Sequence, residues 1–413
     1  MSIRWITPLL GTSPASGVTE TSSISIVDVR DLVDKAGNRA DIVREKIEQG
    51  VRSLRRGKKT VVCCDYGISR SNAVAVGILA RFESIAFAEA VKRVQNSTGE
   101  KEIKLEPLLV VRAALGDAEC TANSGSRTVL VTGASGFIGR AVVPILESGF
   151  EVILPSREEL DLEQGSMQLA LVASQAHANC VLHLANPRVY TSNIALGKTL
   201  AMLKNVIDVC VARDMTLVYL SGWEVFSGYQ GSINATEALP YFPKGPYGEG
   251  KYLAELLIEH HQKNNHLQCA VIRSGPVYGS GADKPKFIFN FMDKALKNEP
   301  IATHLYNNGY PALDLMHVRD LARAIYAVIA KNSEGVIHVG TGVLTTTQDI
   351  AGHIKNLLGS TSSISHVSID ASVASIAMNA EKAKALLDWT AEVSLLDGLK
   401  ELLLDKDAVN GSK

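Results

Sequence analysis

The sequence predicts an α/β protein of two domains, and three observations support that prediction. A chain of 413 residues is long for a single domain. The order strand, loop, helix occurs twice, in "KTVVCCDYGISRSNAVAVGILARF" and in "RTVLVTGASGFIGRAVVPILESGFEVILPS". Between them lies "GDAECTANSGS", a small and polar stretch. We therefore place a first domain at 1–115, a linker at 116–126 and a second domain at 127–413.

The composition is that of a folded protein. Apolar residues make up 46% and charged residues 21% of the chain, which allows a sizeable core. The net charge of −1 argues against a nucleic-acid partner. No apolar run approaches the roughly 18 to 20 residues of a membrane span, and the first residues lack a signal-peptide pattern, so we expect a cytoplasmic protein without a membrane partner. The six cysteines lack metal-ligand spacing and are expected to be reduced thiols, with no bound metal.

The first domain begins with alternating strand patterns and one helical pattern. "SISIVDV" alternates like a strand, "ADIVREKIEQGVRSL" spaces its apolar residues like a helix, and "KTVVCC" has the character of a short buried strand. The loop that follows leads directly into the helix "AVAVGILARF". Backbone N–H groups in a loop that leads into a helix N-terminus form a cradle for an anion. This order therefore predicts an anion site.

Four residues of this loop indicate what the anion site could do. The positive potential of the cradle and of Arg70 favours a thiolate at Cys64, and the thiolate is the nucleophilic form of cysteine. Arg70 offers a planar fork that suits two phosphate oxygens. Gly67 lets the loop backbone approach a ligand closely, and Ser71 can hydrogen-bond the sulfur as it leaves. Together they predict phosphoryl transfer through a cysteine.

Cys64-x5-Arg70-Ser71, with Gly67 inside it, resembles the signature loop of cysteine-dependent protein tyrosine and dual-specificity phosphatases. The resemblance covers roughly residues 1–115, including the opening "WITPLLGTSP" and the helix "AFAEAVKRVQ". It implies a cysteine-phosphatase α/β domain in which Cys64 attacks phosphorus, Arg70 holds the phosphoryl group and an upstream aspartate protonates the leaving oxygen.

The first domain departs from the phosphatase pattern at one position and offers two candidates for the acid. Cys63 stands where family members usually have His, which predicts a weaker stabilisation of the thiolate. Both Asp34 and Asp31 follow the same strand and are candidates for the acid. Asp34 is favoured, because Gly37 and Asn38 after it suit the mobile loop that carries the acid.

The second domain opens with a glycine turn inside a complete βαβ unit. Gly133, Gly136 and Gly139 have the spacing of the dinucleotide-binding fingerprint, which predicts a Rossmann fold with a doubly wound parallel sheet. An acidic residue that binds the ribose 2′-hydroxyl is expected at the end of the second strand, but the chain has Ser156 and Arg157 there. A hydroxyl beside a cation suits a 2′-phosphate. We therefore predict NADP as the cofactor, with NAD as the alternative.

From about Thr128 to Leu404 the chain resembles the extended short-chain dehydrogenase/reductase family, which includes nucleotide-sugar epimerases, dehydratases and reductases. The motifs are "TGASGFIG", "HLAN", "YGEGK", "IRSGPVYG" and "LMHVRDLARAI". The resemblance implies that the last part of the chain forms a small substrate lobe. Besides the fingerprint glycines and residues 156 and 157, it implies cofactor contacts at Ser135, Phe137, Ile138, Asp161, Leu162, Leu184, Ala185, Tyr247 and Lys251.

Tyr247 and Lys251 are the expected catalytic pair of the second domain. They lie one helical turn apart and therefore share a face. A phenol with a pKa of about 10 is a poor base at neutral pH, and a neighbouring ammonium lowers that pKa toward the working range. Tyr247 is expected to exchange a proton with a substrate hydroxyl or carbonyl while the nicotinamide exchanges hydride.

Gly222 is the main departure from the family pattern, because the family usually has Ser or Thr at this distance before the tyrosine (247 − 222 = 25). Ser221 is adjacent, but neighbouring strand residues point to opposite faces, so we expect the polarising hydroxyl to be missing. Residues 312 and 313 also depart from the diphosphate-binding pattern of epimerases. His317 and Asp320 are expected to be structural hydrogen-bonding residues.

These motifs together predict a bifunctional enzyme of carbohydrate or nucleotide-sugar metabolism. It would hydrolyse a phosphomonoester and reduce or epimerise a sugar-like substrate, with a sugar or sugar phosphate as its small-molecule partner. The resemblance allows a homodimer without requiring one. The alternative is a regulatory phosphoprotein phosphatase attached to an NADP-sensing module whose dehydrogenase chemistry is degenerate, as Gly222 would permit. Fold alone does not decide between the two.

Overall fold

The computed structural model describes residues 3–100, 103–116, 127–187, 191–282 and 285–410, with side chains as far as 404. The described residues fall into two compact units. One contains the residues before 117 together with Pro155–Ala178 and Asp208–Arg213, and the other contains the remainder. Most of the linker expected at 116–126 lies outside the described residues.

The elements before residue 117 are three strands, a helix, a fourth strand and three further helices. They are β1 (Arg4–Trp5), β2 (Leu10–Pro14), β3 (Ile24–Asp28), α1 (Ala40–Arg55), β4 (Lys59–Cys64), α2 (Arg70–Glu83), α3 (Phe87–Thr98) and α4 (Leu105–Ala114). The strands form a sheet in the order β1-β2-β4-β3, in which β2 and β3 run parallel to β4. The central strand β4 is buried from Thr60 to Cys64, so the loop after it begins in the core.

Helix α2 is the central helix of this unit, and its sequence explains why. Its residues from Ser71 to Ala80 are all buried, and most of them are small or β-branched. A Cβ atom at Gly77 would lie 2.7 Å from Ile47 of α1 and 2.8 Å from Val111 of α4. Close packing on both sides therefore holds the N-terminus of α2 in place against the loop after β4.

The elements after residue 126 begin with alternating strands and helices and end in short strand pairs. They are β5 (Thr128–Thr132), α5 (Phe137–Glu147), β6 (Glu151–Ile153), α6 (Met167–Gln175), β7 (Cys180–His183), α7 (Asn193–Ala212), β8 (Thr216–Gly222), β9 (Gly231–Ala235), α8 (Gly245–Asn265), β10 (Cys269–Ser274), β11 (Val277–Tyr278), α9 (Lys286–Leu296), β12 (Ile301–Tyr306), β13 (Ala312–Leu313), β14 (Met316–His317), α10 (Val318–Ala330), β15 (Gly335–Val339), β16 (Thr345–Thr346), α11 (Thr347–Leu357), β17 (Ile364–Ile369), β18 (Ala374–Met378), α12 (Glu381–Leu387) and α13 (Leu395–Asn410).

Six of these strands form one sheet in the order β15-β10-β8-β7-β5-β6, and every neighbouring pair in it is parallel. Strands β5, β7, β8 and β10 are buried along their whole length, as expected of a parallel sheet covered on both faces. The strand order reverses between β5 and β7. Ligands of such sheets bind at this switch point, beyond the carboxyl ends of the strands.

A second apolar cluster lies in the C-terminal part of the chain, among residues of α9, α11 and α13. The parallel pair β12 with β17 packs against this cluster, whereas the pair β9 with β18 packs in a further apolar cluster with Val225 and Phe226. The cluster of α9, α11 and α13 lies in the same compact unit as the main sheet, and the substrate lobe expected there stays a prediction. Among the described residues, no helix has the length and apolar character needed to cross a membrane. The described part of the chain also contains no group of three or more metal-ligating side chains.

Candidate functional sites

The loop after β4 wraps its backbone around the sulfur of Cys64. The Gly67 N–H donates a hydrogen bond to Cys64 Sγ at 3.2 Å, and Ser71 Oγ lies 3.4 Å from the same sulfur. Gly67 has a φ of +69°, and a Cβ there would lie 2.5 Å from the backbone of Ser13 and Pro14. Only glycine therefore fits this turn. The guanidinium of Arg4 donates to the Gly67 carbonyl and fixes the loop from outside.

The two adjacent cysteines have opposite electrostatic environments. Burial disfavours the thiolate of Cys64, but hydrogen bonds from Ser71 and from the backbone N–H groups of Gly67 and Ile68 outweigh it and lower the pKa of Cys64 below its usual value. At Cys63, burial and the nearby Asp28 carboxylate raise the pKa to about 11. The loop therefore favours the thiolate of Cys64, whereas Cys63 is a thiol at neutral pH.

Arg70 begins α2 and points into a cleft beside the loop. Its guanidinium donates to the Leu32 carbonyl at 2.9 Å and to the Asp65 carboxylate at 2.5 Å, whereas Arg70 Nε is buried without a hydrogen bond. The cleft has a volume of about 470 Å³ and is lined by Arg30, Leu32, Val33, Asp34, Lys35, Arg70 and Lys104. Four of these seven residues are cationic, so the cleft suits an anionic ligand.

The two candidate acids occupy different environments. Asp34 lines the cleft, with its carboxylate 3.6 Å from Arg70 Nε and 3.8 Å from Lys104 Nζ, and one of its oxygens is buried without a hydrogen bond. Asp31 is half-exposed and pairs with Lys46 at 2.9 Å. Of the two, only Asp34 is beside Arg70, which lies in the same cleft.

The glycine turn of the second site follows β5 and leads into α5. Gly133 has a φ of +76°, and a Cβ there would lie 2.7 Å from Ala185 N and 2.8 Å from Leu184 C, both just after β7. Gly136 immediately precedes α5, and Gly139 packs against the backbone of Ala134. A side chain at Gly133 or Gly139 would therefore collide with neighbouring backbone, so glycine keeps the turn compact at the switch point. A compact glycine turn that leads into a helix N-terminus fits the pyrophosphate of a dinucleotide.

The other predicted cofactor residues of this turn lie at the start of α5. Phe137 and Ile138 are its first two residues, and Ile138 packs against the core of the main sheet. The Ser135 carbonyl accepts a hydrogen bond from Arg140, which also donates to the Gly281 carbonyl. The turn is thereby attached to a neighbouring loop.

The residues after β6 form a small polar cluster. Arg157 has a largely exposed side chain and pairs with Glu163 at 3.2 Å and with Asp161 at 4.0 Å. The backbone N–H of Ser156 donates to Glu159, and the Asp161 carboxylate accepts from the N–H of Glu163. Leu162 is buried. Because exposed ion pairs contribute little to stability, the pairs of Arg157 cost little free energy to break.

Tyr247 and Lys251 lie on the first two turns of α8, as the spacing predicts. Lys251 Nζ is buried, lies 5.8 Å from the centre of the Tyr247 ring, and donates to the Leu220 carbonyl at 2.7 Å and to Tyr219 Oη at 3.4 Å. Burial lowers the pKa of Lys251 to about 8, although Glu224 and Glu255 oppose the shift. The ammonium is therefore predominantly charged at neutral pH and can stabilise a phenolate.

Ser221 and Gly222 point to opposite faces of β8, as the strand argument predicts. Ser221 Oγ donates to the buried carboxylate of Glu255 at 2.5 Å, which also pairs with Arg273. A Cβ at Gly222 would instead meet the carboxylate of Glu224. Glu224 belongs to none of the motifs recognised in the sequence. The only clue in the sequence is an acidic residue two positions after the missing hydroxyl.

Three polar residues of the recognised motifs have structural roles. His183 is buried against Thr132 at 2.8 Å, and burial together with the charge of Lys251 lowers its pKa to about 3, so it is neutral. His317 accepts from the Arg319 N–H at the start of α10. Asp320 accepts from the N–H groups of residues 392 and 393. The expectation that His317 and Asp320 act as hydrogen-bonding residues agrees with these contacts.

A glycine turn at the switch point of a parallel sheet, with Tyr247 and Lys251 on α8, defines a dinucleotide-binding protein with the site of a short-chain dehydrogenase/reductase. The chain belongs to the NAD dependent epimerase/dehydratase family, whose family model matches residues 129–340, just over half of its length. The cofactor of this family is NAD(P), which confirms the expectation of a nicotinamide dinucleotide.

Individual relatives agree with this assignment. A protein of Methanocaldococcus jannaschii that is provisionally named a UDP-glucose 4-epimerase is 27% identical over 305 residues, which cover 67% of this chain and 97% of the relative. The structure of UDP-glucose 4-epimerase from Thermotoga maritima with UDP-glucose has a TM-score of 0.59 and 23% identity, and covers 68% of this chain and 99% of that one. RMD from Pseudomonas aeruginosa, complexed with NADPH, has a TM-score of 0.59 and 18% identity. The match covers 69% of this chain and 100% of that one. The two solved structures confirm the parallel Rossmann-like fold.

Proposed function

We propose that the second site catalyses the NADP-dependent reduction or epimerisation of a nucleotide sugar. The observation that supports this most directly is the position of Lys251, buried beside Tyr247 on α8. The named UDP-glucose 4-epimerases among the relatives support a nucleotide sugar as the substrate class. When bound, the cofactor accepts hydride from the substrate or returns it.

In this proposal Tyr247 holds and moves the proton. Its phenolate removes the proton from a substrate hydroxyl as that carbon is oxidised, and its phenol returns the proton when a carbonyl is reduced. Lys251 lies on the next turn and stabilises the phenolate by its charge. The hydrogen bond to the Leu220 carbonyl keeps the ammonium in that position. Ser221 takes no part, because its hydroxyl is bonded to Glu255.

Turnover of nucleotide sugars tests this proposal directly. Purified protein is incubated with UDP-glucose, UDP-glucuronate and dTDP-glucose, each with NADP or NAD, and cofactor absorbance and sugar products are followed. We expect turnover that is lost in Tyr247→Phe and Lys251→Met. Ser221→Ala is the matched control and is expected to retain turnover within about threefold. Equal loss in Ser221→Ala and Tyr247→Phe would contradict the assignment of the proton-transfer residue.

We further propose that the first domain, residues 1–115, is a cysteine-dependent phosphatase. The specific observation in its favour is the loop after β4, in which the Gly67 N–H donates to Cys64 Sγ and Ser71 Oγ lies 3.4 Å from it, in agreement with the lowered pKa of Cys64. The Cys64 thiolate attacks phosphorus, the ester oxygen leaves with a proton from Asp34, and a phosphocysteine results. The Asp34 carboxylate then takes a proton from a water molecule as the water oxygen attacks phosphorus. The S–P bond breaks, phosphate is released, and the Cys64 thiolate and the acid form of Asp34 are restored. Arg70 holds the phosphoryl oxygens throughout.

Asp34 is preferred to Asp31 as the acid because it lines the Arg70 cleft, whereas Asp31 pairs with Lys46. The comparison Asp34→Asn against Asp31→Asn tests this choice. We expect phosphatase activity to fall about 100-fold in Asp34→Asn, in keeping with the usual contribution of a general acid, and less than threefold in Asp31→Asn. A larger loss of activity in Asp31→Asn than in Asp34→Asn would make Asp31 the acid instead.

A screen of phosphorylated metabolites and phosphopeptides, with and without NADP(H), tests the phosphatase and its relation to the second site. Hydrolysis of small phosphosugars together with cofactor turnover would support the bifunctional enzyme. Hydrolysis of phosphopeptides, changed by NADP(H) without turnover, would support the regulatory alternative. Cys64→Ser should abolish phosphate release and leave NADP(H) affinity within about twofold, because independent sites behave additively. Phosphate release that survives in Cys64→Ser would refute the cysteine mechanism.

A further inference from the structure

The cleft beside the proposed phosphatase site contains more positive charge than one phosphoryl group needs. Besides Arg70 it is lined by Arg30, Lys35 and Lys104. Arg30 already has an anionic partner, because its guanidinium donates to the Asp28 carboxylate at 2.6 Å. Lys35 is exposed and, within the part of the chain that the structure describes, forms no ion pair. The cleft therefore offers Lys35 and Lys104 to a further anionic group.

The distance between Lys104 and Arg70 is limited by the carboxylate that lies between them. Oδ2 of Asp34 is 3.6 Å from Arg70 Nε and 3.8 Å from Lys104 Nζ. The two cationic nitrogens are therefore at most 7.4 Å apart, the sum of these two distances. One small molecule can consequently place a phosphate at Arg70 and a second anionic group at Lys104.

The fold places both cations at the N-terminal ends of helices. Arg70 is the first residue of α2, and Lys104 immediately precedes α4. The N-terminus of a helix carries a partial positive charge that stabilises anions near its first turn. The two helices pack closely, since a Cβ at Gly77 of α2 would lie 2.8 Å from Val111 of α4. The spacing of the two helix ends is thus a property of the packed core.

The size and polar lining of the cleft favour a small ligand. Its volume of about 470 Å³ lies within the range of roughly 300–1,000 Å³ that is usual for small-molecule pockets. Two polar atoms of its lining residues, Arg70 Nε and Asp34 Oδ1, are buried without a hydrogen bond. Buried polar atoms normally have partners, so a ligand is expected to supply them. A compact molecule fits a cleft of this size, whereas a phosphopeptide would extend beyond it.

We propose that the substrate of the first domain is a small molecule with two phosphates, such as a sugar bisphosphate. Cys64 and Arg70 bind the phosphate that is removed, and Lys104 and Lys35 bind the second. Only the first ester is hydrolysed, by the steps given above, so the products are inorganic phosphate and a monophosphate. The second phosphate stays attached and contributes to binding alone. The inference rests on the proposed phosphatase function of this domain.

Protection of Cys64 from iodoacetamide tests the second phosphate without requiring turnover. Initial labelling rates are measured with glucose 1-phosphate, glucose 6-phosphate and glucose 1,6-bisphosphate at one ionic strength, because salt screens exposed charges. We expect the bisphosphate to halve the rate at a concentration at least about tenfold below that of either monophosphate, as for one added charge-assisted contact. In the double variant Lys35→Gln/Lys104→Gln this advantage should shrink to less than about threefold, because the added contact is lost. Lys92→Gln, an exposed lysine of α3 outside the cleft, is the matched control and should keep the full advantage.

The outcomes separate this inference from the phosphatase proposal. Equal protection by the bisphosphate and the monophosphates, or an undiminished advantage in the double variant, would overturn the second phosphate and leave the phosphatase proposal standing. Phosphate release provides a second measure, with kcat/KM for the bisphosphate expected to exceed that for either monophosphate and for a doubly phosphorylated peptide by at least about tenfold. A peptide that was hydrolysed more efficiently than the bisphosphate would overturn the assignment to a small molecule. If no phosphate compound slowed the labelling and none was hydrolysed, the phosphatase proposal would fail, and this inference with it.

Discussion

Selective alkylation of the two adjacent cysteines is the sharpest test of the anion cradle. Solvent access does not separate them, because Cys64 is 2% and Cys63 3% exposed. Their pKa values do separate them: that of Cys63 is raised to about 11, whereas that of Cys64 is lowered below the usual 9.0. We therefore expect iodoacetamide to modify Cys64 first at neutral pH.

The size of the expected labelling preference for Cys64 over Cys63 follows from the fraction of each cysteine that is a thiolate. A difference of at least about two pKa units, 11 against less than 9.0, gives Cys64 at least about 100 times more thiolate at pH 7. The less basic thiolate is also the weaker nucleophile, and a Brønsted slope of about 0.4–0.5 over two units removes roughly tenfold of this advantage. The expected preference for Cys64 is therefore at least about tenfold, and it should narrow as the pH approaches 10.

The assay is timed labelling with iodoacetamide at pH 6, 7, 8 and 10, followed by peptide mass spectrometry. Cys63→Ser is the matched variant and should leave the fast labelling unchanged, whereas Cys64→Ser should remove it. Inorganic phosphate should slow the labelling of Cys64, because phosphate is expected to bind the N–H groups of the loop that surrounds this sulfur. Equal labelling of the two cysteines at pH 7, or faster labelling of Cys63, would refute the argument from loop hydrogen bonds.

Three further predictions concern the second site. Arg157→Ala should lower the affinity for NADPH about tenfold, with little change for NADH, because a charge-assisted hydrogen bond to the 2′-phosphate is lost. Fluorescence titration measures both affinities. An equal loss of affinity for the two cofactors would contradict the 2′-phosphate role. Gly133→Ala should destabilise the fold by about 1–3 kcal/mol and weaken cofactor binding more than tenfold, since it combines a positive φ with backbone overlap. Urea unfolding and cofactor titration test this prediction. Gly197→Ala, at an open helical position, is the control and should leave cofactor binding unchanged. Finally, the pKa of Lys251 falls from its usual 10.5 to about 8 on folding, so the unfolded chain binds more protons between these pH values and stability should rise there. Relative to Lys251→Met, the wild type should gain up to about 3 kcal/mol between pH 8 and 10.5 in urea unfolding; a constant difference would show that the ammonium is not desolvated.

Much of this protein could be predicted from its sequence, because the informative patterns are local. The glycine spacing around Gly133 and the one-turn spacing of Tyr247 and Lys251 depend only on backbone geometry within one element or one turn. The parallel sheet follows from alternating strands and helices, since parallel strands need crossover connections. The opposite directions of Ser221 and Gly222 likewise follow from the pleat of a single strand.

The remaining features depend on which side chains the fold brings together. The sequence favours Asp34 over Asp31 only through the loop residues that follow it. Packing decides that Asp34 lines the Arg70 cleft and that Asp31 pairs with Lys46. Cys63 and Cys64 are neighbours in one strand, yet burial and loop hydrogen bonds shift their pKa values in opposite directions. The Glu224 carboxylate reaches the empty side-chain space of Gly222 only because the turn after β8 folds back. Spacing along the chain determines which groups are available, whereas desolvation and contacts between distant segments determine their protonation and partners, and these arise only when the chain has folded.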